Sequence, residues 1–306
     1  MHREKRWRLL VAVLAALFLV GAACGEDEPE EPGGGGNGET EVEEFPADTS
    51  LGEIQAKGAI TIGVKYDVSP FGFKNPTTGE VEGFDVDMGN KIADALGVEA
   101  KFIEAISDNR IPFLVDGTAD LILSTMTITT DRDTEIDFSR PYYIAHGRIL
   151  VPEDSDITQE SDLNGKRVCT ATASTYELET IPKIAPDAKI ESVDTYSECL
   201  ELLENGAVDA EVTDDIILAG QIEQSGEGLK LIGDDLTTDP YGIGIQEGDS
   251  EMKEFVDGVV EGTFEDGSWD ELYDKWVGSF TGEEAEHPET WTLEEALKEK
   301  GCVETC

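Results

Sequence analysis

Ser124-Thr-Met-Thr-Ile-Thr-Thr-Asp-Arg-Asp-Thr-Glu-Ile-Asp-Phe-Ser-Arg-Pro-Tyr-Tyr143 follows directly on the apolar run Ala119–Leu123. A strand that opens into hydroxyls followed by an arginine suits a small carboxylate. Backbone N–H groups and Thr hydroxyls donate short hydrogen bonds to anions, and the Arg132 guanidinium meets two carboxylate oxygens as a planar fork. The competing reading is a surface arginine salt-bridged to Asp131, Asp133 or Glu135, an arrangement worth little energetically.

Working outward from this stretch, strand-like and helix-like runs alternate. Ala59–Tyr66 reads as strand, Val86–Leu96 as helix, Val98–Glu104 as strand, Asn109–Asp116 as helix and Ala119–Ser124 as strand. The alternation predicts an α/β fold with a largely parallel sheet. After Ile149–Pro152 it begins again, with strands at Lys166–Thr172, Ala188–Val193 and Val208–Thr213 and helices at Glu177–Ile184 and Thr195–Asn205. Two lobes are implied. Leu114-Val-Asp-Gly117-Thr-Ala-Asp120 and Leu203-Glu-Asn-Gly206-Ala-Val-Asp209 share one spacing, in which the Gly ends a helix and the Asp opens a buried strand. Five residues beyond each Asp stand Thr125 and Asp214. Ligands of open α/β sheets bind beyond the carboxyl ends of the strands, so facing lobes would set Thr125 and Arg132 opposite Asp214. Of Asp214 and Asp215, one is expected to cap the helix Ile216–Gln224 and the other to face the cleft.

The string Thr125-x-Thr127, Arg132 and Asp137-Phe-Ser-x-Pro-Tyr142 resembles the family 3 extracellular solute-binding proteins of polar amino-acid ABC transporters. The resemblance covers about Leu51–Gly278. Asp239-Pro-Tyr-Gly-Ile-Gly-Ile245 is similar to the family's return strand, and Glu251–Gly267 and Trp269–Val277 to its closing helices. It implies the type II periplasmic-binding-protein fold, two-lobed, with two crossover hinges and a ligand cleft between the lobes. The first lobe would span 51–148 and 241–280, the second 149–240, and a tail 281–306.

On that resemblance Arg132 takes an amino acid's α-carboxylate, helped by Thr127, the backbone at Thr125, and N–H groups near Ser174 and Thr175. Ser174-Thr-Tyr-Glu177 is also a capping box, which would put those N–H groups at a helix N-terminus. Ala173 stands where the family usually has Gly. Asp214 matches the carboxylate that binds the α-ammonium. Lys65 and Arg110 fall on positions that are basic in binders of acidic amino acids, and Tyr66, Phe71 and Phe73 either line the pocket or belong to the core. Ser107 stands where relatives that bind Lys or Arg supply an aromatic wall. The resemblance thus implies a monomeric carrier of glutamate or aspartate, serving an ABC permease and its ATPase, with no cofactor and no catalysis. A dehydratase of the arogenate or prephenate type and a binder of glutamine or another polar amino acid are the alternatives.

Composition limits the partners. With 306 residues, 39% apolar, the chain can build real cores, and a net charge of −46 argues against nucleic acid. Arg3, Lys5, Arg6 and Arg8 precede the apolar run Leu9–Ala23, which reads as a signal peptide over residues 1–23. Val20-Gly-Ala-Ala-Cys24 resembles a lipoprotein cleavage site, with Cys24 lipidated and the protein held at the outer face of the cytoplasmic membrane or in the periplasm. Residues 24–50, rich in Gly, Glu and Pro, read as a disordered tether, for which about 25 residues would span roughly 25–30 Å. Four cysteines follow. In an exported chain they suggest disulfides, Cys169 with Cys199 and Cys302 with Cys306, the first worth roughly 3.5 kcal/mol. Zinc is the competing reading, but no histidine has ligand spacing, and no metal site is expected.

Overall fold

The computed structural model describes residues 42–226, 228–278, 281 and 285–300. The expected signal peptide, Cys24, Cys302 and Cys306 lie outside them. None of the helices among the described residues is long and apolar enough to cross a membrane.

Two five-stranded paths form the lobes. The first runs β5 (Glu99–Glu104), β1 (Ala59–Val64), β6 (Leu121–Ile122), β14 (Gly244–Gln246), β7 (Ile136–Phe138). The second runs β10 (Lys189–Val193), β9 (Arg167–Ala171), β11 (Ala210–Asp214), β8 (Tyr143–Pro152), β12 (Leu229–Ile232). In both, the first three strands are parallel, the fourth is antiparallel to the third, and the fifth is antiparallel to the fourth. A small sheet of β2 (Asp67–Val68), β3 (Gly72–Lys74) and β4 (Val81–Glu82) flanks the first lobe.

The repeat seen in the sequence has a structural content. Asp120 Oδ2 accepts the Thr61 N–H at 2.7 Å, and Asp209 Oδ2 accepts the Arg167 N–H at 2.8 Å. Each Asp also donates its own N–H, at 2.8 Å, to the carbonyl of that same residue. One aspartate in each lobe therefore locks the third strand's register to the second, and the left-handed Gly117 and Gly206 (φ 74° and 73°) turn the chain from helix to strand just before it. The apolar runs are equally physical: Ile60, Ile62 and Val64 of β1 and Leu121 and Ile122 of β6 are buried because parallel strands are covered on both faces.

Between the lobes the chain leaves on β8 and returns on β13 (Thr238–Tyr241), which pair antiparallel from Thr238 opposite His146 to Tyr241 opposite Tyr143. The single return strand expected over Asp239–Ile245 is two strands, β13 and β14, interrupted at Gly242 and Ile243. A Cβ on Gly242 would lie 2.6 Å from Ile128 Cγ1, so the crossing needs glycine. The lobes touch. Asp67 of lobe one accepts the N–H groups of Tyr196 and Ser197 at 2.9 and 3.2 Å, and a Cβ on Gly220 of lobe two would meet the Ser69 carbonyl oxygen at 1.9 Å.

Cys169 on β9 and Cys199 on the helix Tyr196–Glu204 are joined in a disulfide, with Cα atoms 5.5 Å apart. The tether expected to reach residue 50 is docked at its end: Phe45 meets Phe255 edge to face at 5.6 Å, its N–H donates to Gln55, and the helix Ser50–Lys57 begins at the Thr49 cap. An aromatic ring in reach of an apolar helix face buries itself there. At the other end, the helix Leu293–Glu299 starts at a Thr292/Glu295 capping box and buries Ala296 in the hydrophobic cluster of lobe one that also holds Ile122 and Ile136.

Candidate functional site

Four of the six site residues sit where a strand gives out. Lys65 follows β1, Thr125 and Thr127 follow β6, and Asp214 ends β11. Arg110 opens the helix Arg110–Val115, and Arg132 lies in the single turn Thr130–Asp133, where its own N–H donates to the capping Thr129 hydroxyl. All six side chains are buried.

Three of them are cations. Lys65 Nζ donates to Ser107 Oγ at 2.8 Å and lies 5.4 Å from the Tyr196 ring centroid. Arg110 is held by carbonyls, with Nε to Ser107 at 3.3 Å and Nη1 to Ser124 and Thr125 at 2.9 and 3.1 Å. Arg132 donates from Nη1 to the Thr127 carbonyl at 2.7 Å and from Nη2 across to the Ala173 carbonyl of lobe two at 3.3 Å. Among the described residues none of the three has a carboxylate within ion-pair distance. The consequence is electrostatic: burial and the neighbouring Arg110 push Lys65 down to about 7, and burial and Arg132 push Arg110 down to about 9.

Asp214 is the opposing charge. Its Oδ1 accepts the Tyr176 hydroxyl at 2.7 Å, while burial and the nearby Asp239 push its carboxyl up to about 7. The division of labour expected between Asp214 and Asp215 takes a different form, because neither side chain caps the helix Asp215–Ser225 in the usual manner. Asp214 is the N-cap by backbone only, and Asp215 Oδ1 accepts the His146 N–H of β8 at 3.1 Å and the adjacent Ile216 N–H at 2.7 Å.

Lobe two departs from expectation at Ser174. The Ser174 Oγ accepts the Glu177 N–H at 3.2 Å, but the Glu177 carboxylate returns to the N–H of Ala173 at 2.6 Å, and the Ser174 N–H is spent on the Ala171 carbonyl at 3.1 Å. Ala173 adopts φ 59°, a conformation that favours glycine, and a π-helical turn Tyr176–Thr180 followed by Ile181–Ile184 replaces the regular helix expected over Glu177–Ile184. The Thr175 side chain is buried beside it. Tyr66 is half-buried; its hydroxyl donates to the Phe102 carbonyl at 3.0 Å, and Lys74 lies over its ring. Phe71 packs in the aromatic core against Phe84, Tyr143 and Tyr241, and Phe73 meets Trp276 edge to face.

One residue escaped the sequence reading. Asp85, fully buried, accepts the Thr125 N–H and the Tyr142 hydroxyl. Its signal was its place on the apolar stripe Asp85, Met88, Ile92, Leu96, all buried in the helix Phe84–Leu96.

The pattern of the bacterial extracellular solute-binding proteins, family 3, matches residues 60–279, and the chain belongs to that family. The family's extracellular description agrees with export. A glutamine-binding protein of an ABC transporter from Bacillus subtilis (strain 168) is 38% identical over 88% of this chain and 95% of its own. A glutamate-binding protein from Corynebacterium efficiens is 31% identical over 91% of this chain and 94% of its own. Among solved structures, an ancestral arginine-binding protein bound to arginine superposes with a TM-score of 0.69 at 36% identity, covering 72% of this chain and 99% of that one.

Proposed function

We propose that this protein is the exported binding component of an amino-acid ABC importer, closing as a monomer on glutamate or aspartate and delivering it to a membrane permease and its ATPase. The observation that carries the reading is the imbalance of buried charge: Lys65, Arg110 and Arg132 lack a paired carboxylate among the described residues, and Asp214 lies within their field. An acidic amino acid brings two carboxylates and one ammonium. Its α-carboxylate matches Arg132, with Thr125, Thr127 and the loop at Ser174 and Thr175 around it. Its ammonium matches Asp214, and its side-chain carboxylate matches Lys65 and Arg110. Buried charges are tolerated only when so compensated.

Because Arg132 and Ala173 belong to different lobes, a ligand between them touches both only in the closed state. Its differential affinity shifts the open–closed equilibrium, and the permease reads closure. Cys24 would tether the body to the membrane. A second reading, glutamine, is supported by the Bacillus relative. A thermal-shift screen of the twenty amino acids, followed by calorimetry, tests both, since stabilisation follows ligand concentration over dissociation constant. Glutamate or aspartate giving the largest shift is the expected result; glutamine ahead of both selects the second reading, and no shift with any amino acid refutes the proposal. The carrier reading also requires that arogenate incubated with the protein yield no phenylalanine.

A further inference from the structure

The C-terminal segment 285–300 lies beyond the family-matched region and touches the hinge ladder twice. Glu286 Oε2 meets His146 Nε2 on β8 at 2.8 Å, and Lys300 Nζ meets Asp239 Oδ1 on β13 at 2.5 Å. Between these points the segment is fastened to lobe one. Trp291, Leu293 and Leu297 pack against the lobe-one cluster that includes the buried Ala296, and Arg140 donates to the Glu289 carbonyl at 2.6 Å. Lys300 therefore arrives at the hinge from an anchored helix, and its side chain is 9% exposed there.

Asp239 has a particular need of it. The Asp239 side chain is 1% exposed, its Oδ2 accepts hydroxyls from Tyr176 at 3.1 Å and from Thr237, and its Oδ1 meets Lys300. The same Tyr176 hydroxyl donates to Asp214 at 2.7 Å. One phenolic proton thus lies between two buried carboxylates, and in a medium of low dielectric two such charges oppose each other's ionisation. A cation on the far side of Asp239 weakens that opposition without occupying the cleft.

We propose that Lys300 is a positioning residue for the amino-acid site: by offsetting part of the Asp239 charge from behind the hinge, it helps Asp214 to hold the ligand's ammonium as a carboxylate. The inference rests on the proposed role of Asp214. It assigns a binding function to a segment that the family pattern does not include.

The test uses the full chain and calorimetry with glutamate on wild type, Lys300→Met, Lys300→Arg, Asp239→Asn and the Lys300→Met/Asp239→Asn double variant. Lys300→Met should bind about tenfold more weakly and Lys300→Arg within about threefold of wild type. In the double variant the neutral amide that replaces the Asp239 carboxylate needs no counter-charge, so affinity should return to within about threefold of Asp239→Asn alone. An unchanged Lys300→Met, or a double variant about tenfold weaker than Asp239→Asn alone, would reduce Lys300 to a brace and overturn the inference. Should Lys300→Met not fold, comparison of Asp239→Asn with the double variant decides alone, a tenfold difference there overturning it. A wild type that binds no amino acid overturns the reading of Asp214 itself, and that arm separates the two failures.

Discussion

Asp85 and Thr125 are 40 residues apart in sequence, and the Asp85 carboxylate accepts the Thr125 N–H at 3.1 Å. Thr125 has φ 44°, a left-handed conformation that a β-branched residue rarely adopts. The second Asp85 oxygen accepts the Tyr142 hydroxyl at 2.6 Å. The acid therefore holds the strand end that the ligand is proposed to meet, while making no proposed ligand contact of its own.

Asp85→Ala should cost about 2–4 kcal/mol of stability, because it leaves the Thr125 N–H and the Tyr142 hydroxyl buried without a partner. Asp85→Asn, which keeps an acceptor, should cost less. Urea unfolding measures both, and an alanine variant as stable as wild type would mean that Thr125 is held by the rest of its loop.

Arg132→Ala should weaken every amino acid by about 3–5 kcal/mol, since it removes the partner of a buried α-carboxylate. Asp214→Asn should act similarly through the ammonium. Asp215→Asn should leave affinity nearly unchanged, because its carboxylate serves the His146 N–H of the hinge strand. Calorimetry on the three variants checks the assignment, and a swap of the two aspartate results would reverse their roles.

Lys65→Met and Arg110→Met should each weaken glutamate by about 2–5 kcal/mol and glutamine far less. The structure adds a distinction between them. Arg110 serves three backbone carbonyls, so its loss should also lower the melting temperature of the ligand-free protein, whereas Lys65 is bonded to a single hydroxyl and its loss should not. Equal losses for glutamate and glutamine would make both bases supports of the lobe.

Glutamate affinity should peak near neutrality. Burial and Asp239 push Asp214 up to about 7 in the ligand-free protein, and an incoming ammonium favours its ionised form, so below that pH binding must expel a proton and weakens as pH falls. Burial and Arg110 push Lys65 down to about 7, and an incoming carboxylate favours its charged form, so above that pH binding must take up a proton and weakens as pH rises. Each limb should approach about tenfold per pH unit. Dissociation constants between about pH 5 and 9 at fixed salt show whether both limbs exist; glutamine should retain the acid limb and lack the alkaline one, and a flat alkaline limb for glutamate would remove Lys65 from the side-chain contact.

Much of the architecture was legible without coordinates because it repeats locally. A short continuous apolar run marks a strand covered on both faces, a glycine after a helix marks a left-handed turn, and the matched Gly117/Asp120 and Gly206/Asp209 spacings placed two strand ends in equivalent positions. The structure explains the echo, since each aspartate closes the same pair of hydrogen bonds to the neighbouring strand. Cys169 and Cys199 were legible as a pair because an exported chain with an even number of cysteines suggests disulfides, and the helix Tyr196–Glu204 packs on β9.

Tertiary structure alone decided the partners of the buried charges. Local pattern gives Asp85 a place on an apolar helix face but cannot name Thr125, because that choice depends on where two distant elements meet. Nor can it show that Ser174 spends its N–H on Ala171, that Asp215 serves His146, or that Lys300 reaches Asp239 across the hinge. Periodicity reports how one segment divides between water and core, an interaction summed over many weak contacts and so robust to exact placement. A hydrogen bond or a buried ion pair is short and directional, fails within an ångström, and is therefore settled only when the packed chain sets both partners in place.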